Sequence, residues 1–97
     1  MKQIYINMLK GHDSERYQFT FGTRDERWLA RLQNPSGAVV CQFCRGTIDE
    51  CFDSLVGSLP RLGVVKSVSA SPTDKKFVDL FHEKLQKNIL LYRFSLN

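Results

Sequence analysis

The stretch SPTDKKFVDLFHEKLQKNILLYRFSL (Ser71–Leu96) decides the fold, because it describes a capped amphipathic helix that runs almost directly into an apolar strand. Ser71 can accept a hydrogen bond from a free N–H of the first turn, and Pro72 suits the first helical position. Apolar residues then recur at spacings of three and four, at Phe77, Val78, Leu80, Phe81 and Leu85. The pattern predicts a helix over 74–87 and a strand over 89–96.

The predicted last strand is apolar on both faces where it begins and on one face where it ends. Tyr92, Phe94 and Leu96 share a face with Leu90, whereas the other face becomes polar at Arg93. A strand of this kind is typical of the interior of a sheet that helices cover at one end.

The first half of the chain predicts a four-stranded antiparallel meander. Alternating or apolar runs occupy residues 3–9, 17–21, 28–32 and 38–44, and turn-forming or charged residues separate them at 11–14, 22–27 and 34–37. A helix should follow from Thr47 to Leu59, because Thr47 and Glu50 form a capping box. A fifth strand should then run over 64–70, with Val64, Val68 and Ala70 on a common face.

The element order is therefore ββββ-α-β-α-β. It predicts an α+β, two-layer fold in which an antiparallel β-meander is followed by α-β-α-β, giving one mixed sheet packed by two helices. We find no internal repeat or linker, so residues 1–97 should form a single domain.

Composition places the protein among small globular domains. It has 97 residues, of which 42% are hydrophobic and 25% charged, and a net charge of +4. The apolar runs are far shorter than the roughly 20 residues that span a bilayer, and the N-terminus shows no secretory signal. Three cysteines, an odd number, fit a reducing compartment better than a disulfide framework. We expect a cytoplasmic or nuclear location and no membrane association.

The cysteines Cys41, Cys44 and Cys51 are the one group that suggests a metal or redox site. A tetrahedral zinc site needs about four thiolate or imidazole ligands, so His12 or His82 would have to complete it. On a regular strand Cys41 and Cys44 point to opposite faces, which opposes chelation. We therefore favour structural cysteines that pack as small hydrophobic residues and expect no metal.

Enzymatic motifs are lacking in the sequence. No phosphate-binding GxGxxG or GKS/GKT pattern occurs. His82 could act as a general base oriented by Asp79, but no nucleophile has a sequence reason to lie near it. We expect no catalysis, no cofactor and no small-molecule substrate.

The best candidate binding surface is the basic cluster Arg24, Arg27 and Arg31 with Trp28 interleaved. Strand alternation places Arg27 and Arg31 on one face and Trp28 on the other. Arginine and aromatic residues are enriched at protein hot spots and in RNA sites. A solvated sheet face with Trp28 in the core is the simpler alternative. Likewise, Tyr17, Phe19 and Phe21 could stack on bases, but no RNA-binding signature is present and core packing is favoured.

Three segments together resemble a known family. They are the strand VVKSVSA (64–70), the helix containing FVDLFHEKL (77–85) and the strand ILLYRFSL (89–96). This triplet after a meander looks like the small proteasome assembly chaperones of the third and fourth type. The resemblance implies a non-catalytic α/β protein that pairs into heterodimers and helps to build the α-ring. It transfers no individual residue roles, only a scaffold that pairs through its sheet.

The sequence thus favours a protein–protein interaction or assembly module that forms a homo- or hetero-oligomer. Tyr92, Phe94 and Leu96 support this hypothesis, because nothing follows them in the sequence to cover an apolar edge. The alternative is a small basic RNA- or nucleic-acid-binding domain that uses Arg24, Arg27, Trp28 and Arg31, with steeply salt-dependent binding.

Overall fold

A computed structural model describes residues 2–70 and 74–87, and it shows the expected α+β architecture. The strands are β1 Lys2–Lys10, β2 Asp13–Arg24, β3 Arg27–Gln33, β4 Val39–Arg45 and β5 Val64–Ser69. The helices are α1 Ile48–Ser58, a short 3-10 helix Leu59–Arg61, and α2 Lys75–Lys87. The predicted cap at Ser71 and Pro72 and the predicted strand over 89–96 lie outside the described residues.

The strands form a five-stranded sheet in the order β4-β3-β2-β1-β5, and every described pair is antiparallel. The meander of β1 to β4 is confirmed. Because β5 pairs with β1, the connection through α1 carries the chain from one edge of this sheet to the other. The predicted sheet is mixed, but no parallel pair occurs among the described strands. The strand predicted over 89–96 lies outside the described residues.

Alternation along the strands builds the core. Three residues of β1 face the helices and are fully buried: Ile4, Ile6 and Met8. Phe19 and Phe21 of β2 also face the helices and are fully buried. The Phe21 ring lies 5.4 Å from that of Phe52 in α1 and 4.8 Å from that of Phe77 in α2, both edge to face. Both helices therefore pack on the same face of the sheet.

The helix α1 begins as its capping box predicts. The N–H of Glu50 donates to Oγ1 of Thr47 at 3.2 Å, and the Thr47 hydroxyl lies 3.1 Å from the Glu50 carboxylate. The buried face of α1 includes Cys51, Phe52, Leu55 and Val56. The helix α2 buries Phe77, Phe81 and Leu85, so its predicted apolar stripe is confirmed.

The predicted inward face of β5 needs a correction. Val65 is buried, whereas Val64 is 44% exposed. The register with β1 changes from Asn7 opposite Ser67 to Met8 opposite Val65, so Lys66 is an extra, bulged residue. The bulge lets both Val65 and Val68 approach the core, which a regular alternation cannot do.

The turn predicted over 22–27 is narrower in the structure. Strand β2 continues to Arg24, and only Asp25 and Glu26 form the loop. Both have positive φ, 53° and 63°, as in a two-residue hairpin loop.

Among the helices within residues 2–70 and 74–87, none has the length and apolar character that a membrane span requires.

Candidate interaction surface

The second face of the sheet, opposite both helices, carries the sequence-predicted arginines. We call it the open face. Its residues, taken from the strand register, are Gln3, Tyr5, Asn7 and Leu9 of β1; Ser14, Arg16, Gln18, Thr20, Gly22 and Arg24 of β2; Arg27, Leu29, Arg31 and Gln33 of β3; Val39, Gln42 and Cys44 of β4; and Val64, Ser67 and Ser69 of β5.

The open face is cationic and contains no aspartate or glutamate among these strand residues. Arg16, Arg24, Arg27 and Arg31 are all exposed on it. Acidic residues adjoin Arg24 and Arg27 in the hairpin loop, where Asp25 Oδ2 lies 4.0 Å from Nε of Arg24. Because these positively charged arginines lie close together on one face, they create a positive potential there, and this face favours an anionic partner surface.

One arginine of the open face is held in place by an aromatic ring. The guanidinium carbon of Arg16 lies 4.0 Å from the centroid of the Tyr5 ring. The Tyr5 hydroxyl in turn accepts from Nε2 of Gln3 at 3.0 Å, and the Gln3 amide oxygen accepts from Nε2 of Gln18. Sequence reasoning missed Arg16, although its alternation with Tyr17 would have placed it on this face.

A recess opens on the open face where Gly22 carries no side chain. Its volume is about 280 Å³, and it is lined by Thr20, Gly22, Thr23, Arg24, Leu29 and Arg31. In the register, Leu29 lies opposite Gly22 and Arg31 lies opposite Thr20. Two of the predicted arginines, Arg24 and Arg31, therefore border one shallow cavity.

Trp28 is separated from these arginines by the sheet. It lies on the helix-covered face, half-buried, with its ring 6.4 Å from that of Phe21. A second cavity at this end of the sheet, of about 400 Å³, is lined by Lys2, Phe21, Gly22, Thr23 and Trp28. The structure thus brings Arg24, Arg27 and Arg31 to one face but leaves Trp28 on the other. Tyr92, Phe94 and Leu96 lie outside the described residues.

Strand β4 forms one edge of the described sheet. Within the described ranges it pairs only with β3. At its beginning Val39 and Val40 are 48% and 39% exposed. Apolar side chains on an edge strand favour association with another chain.

The aromatic residues of β2 do not form a stacking surface. Tyr17, Phe19 and Phe21 are buried, so the interpretation as core residues is confirmed. Tyr5 is the aromatic residue of the open face, and Arg16 lies over its ring.

The three cysteines are dispersed in the way the alternation predicts. Cys44 is exposed, Cys41 is half-buried on the opposite face of β4, and Cys51 is buried in α1. Burial raises the pKa of the Cys51 thiol, which donates to the carbonyl of Trp28 with an Sγ···O distance of 3.9 Å. Among the residues that the structure describes, no group of three or more potential ligands could hold a metal ion.

Both histidines lie on the surface, including His82, the candidate general base. His82 and Asp79 are exposed on α2, and His12 is exposed in the turn between β1 and β2.

No protein-family model, curated protein or solved structure matches the chain.

Proposed function

We propose that this protein is a non-catalytic protein-interaction module that binds a partner protein through its open face and thereby dimerises or docks into a larger assembly. The observation that carries the proposal is the combination of four exposed arginines with no acidic residue on that face. Arginine is enriched at interface hot spots, because its planar fork of donors can bind carboxylates in pairs while its stem packs on apolar groups.

Apolar residues next to the arginines favour a protein partner. Leu29 lies in the centre of the arginine cluster, and Val39 and Val40 are exposed at the nearby edge. An interface needs such residues, since apolar contact supplies much of the binding free energy and charges mainly set specificity. An assembly role also agrees with the resemblance in element order to the small proteasome assembly chaperones.

Nucleic acid is the second candidate, because the same arginines could neutralise phosphates. The open face supports it less well. Single-stranded RNA sites stack bases on aromatic rings, and on this face Arg16 occupies the one ring that Tyr5 offers.

A charge-reversal experiment tests the proposal. We would capture tagged wild-type protein and the R27E/R31E variant from native extract, with K10E/K75E as the control for charge. Each double variant changes the net charge by −4, from +4 to 0. Lys10 and Lys75 are exposed away from the open face.

The expected result is one or more stoichiometric protein partners that wild type and K10E/K75E retain and R27E/R31E loses. Mass photometry of the purified protein should show complexes with the same pattern. A partner that nuclease removes and that dissociates steeply with salt would indicate nucleic acid instead. A protein that is monomeric at tens of micromolar and also in extract would contradict the interaction module.

A further inference from the structure

Gly22 has no reason within the described structure to be a glycine. It lies inside β2 with regular pairing to β3 on both sides, and its φ is not positive. A Cβ added there would meet nothing within 4 Å. Gly63 is different, because a Cβ there would lie 2.9 Å from the carbonyl oxygen of Leu9. Glycine weakens a strand interior, and it often marks a site where another group approaches the backbone closely.

The groups around Gly22 are those that bind a carboxylate. Arg24 follows it by two residues on the same strand face, and Arg31 is its diagonal neighbour on β3. Two guanidinium groups can offer paired, charge-assisted donors to one carboxylate. Leu29, directly opposite Gly22, gives the cavity an apolar wall that suits the methylene groups of an acidic side chain.

The cavity is small but has room for an inserted side chain. Its volume of about 280 Å³ lies at the lower limit of the range of about 300–1,000 Å³ found for pockets that enclose small-molecule ligands. It is open rather than enclosed, and it lies on the face that we assign to partner binding.

We propose that the Gly22 recess is the anchor point of the open face, where a glutamate or aspartate side chain of the partner protein inserts and pairs with Arg24 and Arg31. This inference rests on the proposed function and specifies its partner chemistry. The partner segment is acidic, and its contacting residue carries an apolar neighbour that packs on Leu29.

Peptide titration followed by amide chemical shifts tests the site directly. The probe is a blocked Ala-Leu-Glu-Leu-Ala peptide, and its matched control is Ala-Leu-Gln-Leu-Ala. We expect the glutamate peptide to shift the amide signals of Gly22, Thr23 and Leu29 and to bind about ten-fold more tightly than the glutamine peptide. The variant R31Q should lose about ten-fold in affinity, whereas K75Q, which removes an exposed positive charge away from the open face, should keep it.

The G22V variant separates binding from folding. Because a Cβ at this position is free of contacts and valine favours strands, its thermal midpoint should rise by about 3–6 °C. Its peptide-induced shifts should nevertheless disappear, because the valine side chain fills the recess. Shifts that are equal for the two peptides, or that persist in G22V, would overturn the inference.

Two further results distinguish the possible failures. If inorganic phosphate or a uridine oligonucleotide moves the same signals more strongly than the glutamate peptide, the recess is a phosphate site and the inference is wrong. If G22V retains in extract the partner that R27E/R31E loses, the recess is not the anchor, although the interaction module stands. Loss of that partner by G22V, with its raised thermal midpoint, supports both.

Discussion

The Lys84 ammonium in α2 lies 3.2 Å from Oδ1 of Asp53 in α1. The same Nζ lies 3.5 Å from Oδ1 of Asp49, one turn earlier, so a single cation joins the two helices to each other. The Lys84 side chain is only 9% exposed, whereas the side chains of Asp53 and Asp49 are 57% and 61% exposed. The lysine is thus buried and its carboxylates are hydrated from one side.

This asymmetry predicts that removing the lysine and removing the two carboxylates lower the unfolding free energy by different amounts. In K84M the methylene stem is largely kept and the carboxylates stay hydrated, so we expect a loss of about 1 kcal/mol of unfolding free energy. In D49N/D53N the buried ammonium loses both carboxylates, and we expect a loss of about 2 kcal/mol or more. Urea denaturation of both variants gives the comparison. A larger loss in K84M than in D49N/D53N would contradict it.

Replacing Lys84 should change how the stability of the protein depends on pH. Burial by itself lowers the pKa of this amine, but the hydrogen bond and charge of Asp53, with those of Asp49, outweigh burial, so the pKa is raised above 10.5. A raised folded-state pKa adds stability that is complete below the unfolded value and is lost as the pH rises through the folded one. The stability difference between wild type and K84M should therefore be constant from pH 7 to 10 and shrink above about pH 10.5. Denaturation of both proteins across that range measures it, and a difference that grows above pH 10.5 would oppose it.

Most elements could be predicted because local signals and hydrophobic period agree in them. In α1 the capping box of Thr47 and Glu50 coincides with the apolar stripe through Phe52 and Leu55, and in β2 the alternation is unbroken. The bulge in β5 could not be read, because Val64 and Val65 are adjacent and equally apolar. The pattern then fits two registers, and only packing against Met8 selects Val65.

The hairpin between β2 and β3 shows a second limit. Two-residue loops with positive φ are usually marked by Asn-Gly or Asp-Gly, because glycine adopts that conformation without strain. Here Asp25 and Glu26 form the loop, so the sequence lacks the usual signal and its pattern predicts a wider turn than the structure has. That wider turn includes Gly22, so sequence reasoning does not reveal the recess on the open face. The common face of Arg27 and Arg31 needed only strand alternation.

Two glycines should respond oppositely to alanine. Gly57 lies on the exposed side of α1, where an added Cβ meets nothing within 4 Å, so G57A should stabilise by up to about 1 kcal/mol. Gly63 has φ of +154°, and its added Cβ would lie 2.9 Å from the Leu9 carbonyl oxygen. G63A should therefore destabilise by about 1–3 kcal/mol. Thermal and urea denaturation of the pair provide the measurement, and equal effects of the same sign would show that the close approach at Leu9 is not rigid.

The three thiols should react at different rates in the native state. Cys44 is exposed on the open face, whereas Cys51 is buried with a raised pKa, so fewer of its thiols are ionised at neutral pH and reagent has less access to them. Titration of native protein with a chromogenic disulfide should give one fast thiol that C44S removes, and Cys51 should react only at the rate of opening or unfolding. C51S is the matched control and should leave the fast phase intact. A fast phase that survives C44S, or zinc that protects all three thiols, would contradict this arrangement and revive a metal role for Cys41, Cys44 and Cys51.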